Sequence, residues 1–275
     1  MACPDDRCFI LEDPLVWSMR KMKKNTVKDR IFILTATAAF VFLMCLTGYF
    51  KMEKSKPFSY KDNLKKEAAV INGKGLTLKD MAFYVAYVEN KVEKEAYVYN
   101  KESTRDFWNA RLQGKIMAAM AKKTVYSMAV HDTVFYREAK KRQISLSPDE
   151  AKYAENSFTD FKEDLLDIQR KRMPVSMNEI ENEILKMALA QKYQRILAKE
   201  KNLSYESLNW DGDEYEKILS EHKVRKNDRI WDRVNVGEIT VHHDHVNFVN
   251  GKNPGDRSYV KWIEHMDIKD IFSKS

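Results

Sequence analysis

The sequence predicts a mainly α-helical protein: one N-terminal transmembrane helix, then a helical domain with a short N-terminal strand and a small C-terminal β hairpin region. Three observations carry this. The 275-residue chain holds only 8 Gly and 6 Pro amid abundant Lys, Glu, Ala and Met. That composition favours helices and excludes Gly-rich nucleotide folds, collagen-like chains and disulfide scaffolds. Residues 31–50, IFILTATAAFVFLMCLTGYF, carry no charge, and about 20 residues of helix span roughly 30 Å of hydrocarbon. Downstream, helix-start signatures recur ahead of apolar positions spaced three and four apart.

The uncharged run predicts contact with membrane lipid through residues 31–50. Arg20, Lys21, Lys23, Lys24, Lys28 and Arg30 precede it, and a second set of lysines from Lys51 to Lys66 follows. Because basic charge in a short tail sets orientation while a long domain translocates regardless, residues 1–30 are expected in the cytoplasm. The main domain is then extracytoplasmic, on a single-pass protein of the cell membrane. From Met22 the chain has the form of a secretory n-region and h-region, which makes Met22 an alternative start. No A-x-A site follows the span, and no small residue precedes Cys45 as lipidation would require, so an uncleaved signal anchor is expected. Cys3 and Cys8 precede the span and Cys45 lies inside it, leaving the external domain without a disulfide. The formal net charge is +7, but the signs are interspersed rather than gathered in a stripe, which argues against a nucleic-acid partner.

Residues 51–66 read as a polar linker. Ala68-Ala69-Val70-Ile71 before Asn72-Gly73 predicts a strand entering a turn. Thr77 with Asp80 starts a helix whose face carries Met81, Tyr84, Val85, Val88 and Val92, ending near Tyr99. Thr104 caps the next, with Phe107, Trp108, Leu112, Ile116 and Met120, which continues or breaks into a segment holding Val125, Met128, Val134, Phe135 and Ala139. Ser147-Pro148-Asp149-Glu150 combines an N-cap, Pro at the first helical position and a capping-box Glu; its helix is expected to run to the break at Met173-Pro174. Ser176 with Glu179 opens another, to about Lys201, and Asp211 a shorter one through Leu219. Beyond Val224, β-branched and aromatic runs at residues 229–241 and 246–249 with Asn-Gly and Asn-Pro-Gly turns predict hairpins. A short helix over residues 259–272 closes the chain.

The run Ala69-Val70-Ile71-Asn72-Gly73-Lys74-Gly75-Leu76-Thr77 resembles the strand-turn opening of SurA/PrsA/trigger-factor type chaperone domains. The stretch from Phe135-Tyr136-Arg137-Glu138-Ala139-Lys140-Lys141 to Ser147-Pro148-Asp149-Glu150 is similar to that family's helix-to-helix junction, with Gln143 where the family has Gly. The resemblance covers residues 67–200. It implies a SurA-N-like chaperone domain over residues 67–220, with residues 221–275 a small α/β segment, and a membrane-anchored foldase or holdase acting on unfolded secreted polypeptides. Met and aromatic side chains adapt to varied clients, so Met81, Tyr84, Phe107, Trp108, Met117, Met120, Phe135 and Tyr136 are the client-binding candidates. A homodimer is left open. Val236-Gly237-Glu238-Ile239-Thr240 is similar to a stretch near the end of parvulin prolyl isomerases, the alternative being a degenerate isomerase; the chain after Leu219 is too short for an intact module of that kind. A scaffold with one dedicated partner fits the same helices.

No nucleophile elbow, zinc-protease, P-loop or dinucleotide motif is present, and no catalytic residue, metal or cofactor is expected. His242, His243, His245 and Asp244 read as a polar hairpin edge rather than a metal site, since no distant ligand can be nominated. Asp211 and Asp213 lack the bidentate Glu of a calcium loop; the twelfth position is His222. Glu179, Glu181 and Glu183 read as a solvated helix face.

Overall fold

The computed structural model describes residues 31–32, 34–47, 58–100, 102–112 and 114–242. The chain divides into two units, Met1–Pro57 and Phe58–Ser275.

In the first unit residues 31–32 and 34–47 form helix α1. Phe32, Leu34, Phe40, Val41, Phe42, Leu43 and Met44 are all more than half exposed. The Thr35, Thr37 and Thr47 hydroxyls donate to carbonyls of the preceding turn, the usual back-bonding of Thr within a helix. Among the described residues no helix is long and apolar enough to cross a membrane. The expected span continues to residue 50, and residues 48–50, the tail with Cys3 and Cys8, and most of the linker lie outside the described residues.

The second unit opens with β1 (Glu67–Ile71) and β2 (Lys74–Thr77), an antiparallel hairpin. Its turn residues Asn72 and Gly73 both take positive φ, 50° and 79°, the geometry that lets a two-residue turn follow the strand twist. Thr77 then caps α2 (Leu78–Tyr99) through the expected box with Asp80. α2 is buried on more than its predicted face, with Phe83, Tyr87, Glu89 and Asn90 enclosed beside Met81, Tyr84, Val85 and Val88. It is the central helix of the domain.

The next segment departs from the expected continuous helix. α3 (Thr104–Asn109) stops after six residues, and β3 (Arg111–Leu112) and β4 (Lys115–Ile116) form a small ribbon around Gly114 at φ +79°. Only then does α4 (Met117–Lys141) begin. Thr104 is the first helical residue, and its predecessor Ser103 holds the cap position without a side-chain bond.

α4 ends at Lys141, with Arg142 as its cap. Gln143 adopts φ +56°, and Ile144 N–H returns to Ala139 O at 3.0 Å, the bond of a left-handed helix stop. Ser147 and Glu150 cap α5 (Pro148–Asp164). This helix ends at Leu165, extended at ψ 135° and 4% exposed, rather than at Pro174: burying Leu165 requires the chain to turn before α6 (Asp167–Arg172). Ser176 and Glu179 cap α7 (Met177–Lys201), which stops at left-handed Asn202. α8 (Asp213–Ser220) is capped by Gly212, not by Asp211.

The expected C-terminal hairpin is a correction. Among the described residues beyond Val224 there is one strand, β5 (Val224–Lys226), which joins β1 to give the sheet order β2-β1-β5. Residues 229–241 form no strand, because Trp231, Val234, Val236 and Val241 are taken up by the core. The short helix α9 (Asp228–Trp231) follows, and irregular chain buries Val234, Val236 and Val241 completely. Residues 246–249, the residues 259–272 helix and His243, Asp244 and His245 lie outside the described residues. α4 packs along α2 and α7, and α5 lies on α7, so one core serves the whole unit.

Candidate functional site

Three helices present a face each to a cleft of about 450 Å³. On α5 the lining residues Tyr153, Asn156, Ser157, Asp160, Phe161 and Asp164 repeat at steps of three and four, one stripe of a helix. α2 supplies Phe83, Tyr87, Asn90 and Lys91, and α7 supplies Ile184 and Met187. The rings interlock: Phe83 meets Phe161 edge-on at 5.2 Å, and the Lys91 ammonium lies 6.0 Å above Tyr87. Asn90 donates to Asp164 O and to Gln169 Oε1, both at 2.9 Å, and Lys94 pairs with the Asp164 carboxylate.

The cleft is narrow. Its floor of Phe83, Tyr87, Ile184 and Met187 is 1–6% exposed, whereas Tyr153 on the rim is 40% exposed. Of α5's seventeen residues only Ala154 is buried, so α5 contributes the most exposed wall.

A smaller, charged cavity of about 160 Å³ is walled by Asp80, Tyr84, Asp132, Tyr136, Arg137, Glu183 and Lys186 among others. Tyr84 donates to Asp132 Oδ2 at 2.9 Å, and Asp132 Oδ1 is 2.7 Å from His131 Nδ1. The far ring nitrogen of His131 sits 2.9 Å from Leu208 O. Lys186 donates to Glu183 at 2.8 Å and lies 3.6 Å from Asp80. Burial pushes the Glu183 carboxyl up to about 7, against the pull of Lys186. The expectation of a solvated Glu179-Glu181-Glu183 face therefore fails at Glu183, which is 8% exposed. Glu179 is the cap residue of α7, and its bonds to Lys79 and Ser176 hold it down at about 2.

The client-binding candidates fall elsewhere. Met81, Tyr84, Phe107, Trp108, Met117 and Phe135 are core residues at 0–4% exposure, and Met120 and Tyr136 are half-buried. None lines the aromatic cleft. They mark the hydrophobic stripe that folds the domain, and a stripe that packs a core offers no surface to a client. The cleft residues form the neighbouring stripe: Phe83, Tyr87 and Asn90 on α2 share a period offset from that of Met81, Tyr84 and Val88. On α5 the signal was the mixed aromatic and polar period of Tyr153, Ser157 and Phe161.

The parvulin-like stretch is a strap. Gly237 N–H and Ile239 N–H donate to Glu89 Oε1 at 2.6 and 3.1 Å, and Thr240 N–H donates to Oε2 at 2.6 Å, with its hydroxyl beside it. Gln169 bridges Thr240 and Ala86 O. Desolvation raises the Glu89 carboxyl above its ordinary value against the pull of these four donors. The stretch spends its polar groups on fixing the C-terminal chain to α2.

Among the described residues no group of three His, Cys, Asp or Glu could hold a metal ion. Fold and site together define a helical domain with an aromatic cleft between its central helix α2, the largely exposed α5 and α7. Comparison with known proteins finds no matching family, curated relative or solved structure.

Proposed function

We propose that the protein is a membrane-anchored extracytoplasmic chaperone, with α1 as its anchor and the α2/α5/α7 cleft as the surface that takes unfolded or newly secreted polypeptides. The observation that carries this reading is the cleft: rings and a Met on its floor, amides and a hydroxyl on its rim, and a wall with one buried residue. Aromatic and thioether side chains adapt to varied sequences, while Asn156 and Ser157 on the rim can exchange hydrogen bonds with an extended backbone. The all-round apolar exposure of α1 supports the anchor, and the strand-turn-helix opening and the Arg137-to-Glu150 junction agree with the family resemblance.

The test uses the full chain in lipid nanodiscs, at stoichiometric ratio to several unrelated denatured proteins, with light scattering as the readout. Suppression across clients, weakened at least threefold by Tyr153→Asp, is the expected result. Suppression of none would sink the chaperone reading and favour a scaffold with one dedicated partner. Suppression indifferent to Tyr153→Asp would remove the cleft as its site.

A further inference from the structure

The strap runs close to the cleft. Thr240 Oγ1 accepts from Gln169 at 2.9 Å, and Gln169 Oε1 accepts from Asn90 at 2.9 Å; Asn90 is itself a cleft wall. The chain is therefore pinned two hydrogen bonds from the cleft, with 33 residues still to come after His242. In that remainder Tyr259, Trp262, Ile263 and Met266 stand at positions i, i+3, i+4 and i+7, the anchor spacing of a helix that lies in a groove. Sixteen residues separate His242 from Tyr259, a tether of up to about 55 Å, ample to reach any part of the cleft.

We infer that the chain's own residues 259–272 dock in the α2/α5/α7 cleft through Tyr259, Trp262, Ile263 and Met266, and that clients bind by displacing them. The inference rests on the cleft being a polypeptide-binding surface. Its chemistry is self-consistent: a Trp, a Tyr, an Ile and a Met meet a floor of Phe83, Tyr87, Ile184 and Met187. Tethering supplies an effective concentration of the order of millimolar, so a weak intramolecular contact suffices to cover apolar surface when no client is present. A client must then overcome the fraction of occupied clefts, which lowers its apparent affinity by that fraction.

The test places a benzophenone amino acid at position 153 of the full chain in nanodiscs holding one copy each. Photolysis is expected to join position 153 to a peptide within residues 259–272, with a yield unchanged on dilution. Cross-links confined to other segments, or cross-links between copies that fall with dilution, would overturn the inference. In parallel, the affinity of a fluorescently labelled, reduced and unfolded client is measured for the wild type and for Trp262→Asp/Met266→Asp. A two- to tenfold gain supports displacement; no change, or a loss, overturns it. The two readings separate cleanly. A tail cross-link with no client binding by either protein keeps the docking and removes the chaperone; client binding with no tail cross-link does the reverse.

Discussion

Glu183 shows how one buried carboxyl shapes the behaviour of a domain. Its ordinary value is 4.5, and burial beside Asp80 and Asp132 pushes it up to about 7. Between those values the folded state keeps a proton that the unfolded chain has released. The stabilisation is therefore complete below about pH 4.5 and is lost as pH rises through 7. The displacement corresponds to at most roughly 3 kcal/mol. Glu183→Gln keeps an acceptor for Lys186 and removes the charge, so its melting temperature relative to wild type is expected to rise between pH 5 and pH 8; parallel melting curves for the two proteins would contradict the assignment. Gly237 is the second telling residue. It sits at φ +105°, and a Cβ there would lie 2.8 Å from the Trp108 ring. Gly237→Ala should cost at least about 1–3 kcal/mol in urea unfolding through backbone strain alone. Replacing Glu89 by Gln turns an amide donor toward the N–H groups of the strap and should destabilise comparably.

At the scale of elements, the chain's own capping chemistry made most helices readable. Thr77/Asp80, Ser147/Glu150 and Ser176/Glu179 all form the reciprocal boxes their spacing announces, because such a cap is a local bond among four residues. Ser147→Ala should cost about 1 kcal/mol of stability, measurable by chemical denaturation. Gln143 at φ +56° pays for a side chain in a left-handed stop; Gln143→Gly should gain up to about 1 kcal/mol, and a loss would mean the side chain makes a compensating contact. α3 gives way to a tight ribbon in which Arg111 pairs with Ile116 and Leu112 with Lys115. The other ends depend on distant partners: α5 stops at Leu165 because the core takes that side chain, and β5 finds an edge on β1 that lies about 150 residues earlier. No local window contains those two partners.

For the whole molecule, the same division separates core from site. The hydrophobic positions of α2, α3 and α4 are plain in the sequence, and six of the eight candidates drawn from them are buried core residues. The cleft needed three helices side by side before Phe83, Tyr153 and Met187 could be recognised as neighbours. Glu183 was misread for the same reason: a charged residue at a helical period looks solvated until the helix in front of it is known. The uncharged run, by contrast, is a property of contiguous residues, and α1 leaves its apolar side chains exposed.

The clamp on Glu89 sets an order of events in the life of each chain. Its four donors come from residues 237–240, some 150 positions downstream, so during vectorial synthesis the central helix emerges long before the groups that make its burial tolerable. Until they arrive, seating Glu89 in the core would strand a carboxylate without partners, a cost of several kcal/mol. α2 must therefore wait, loosely held, until nearly all of the domain has been made. A chain stopped before residue 237 would leave that acid unanswered, so residues 237–240 complete the domain rather than extend it.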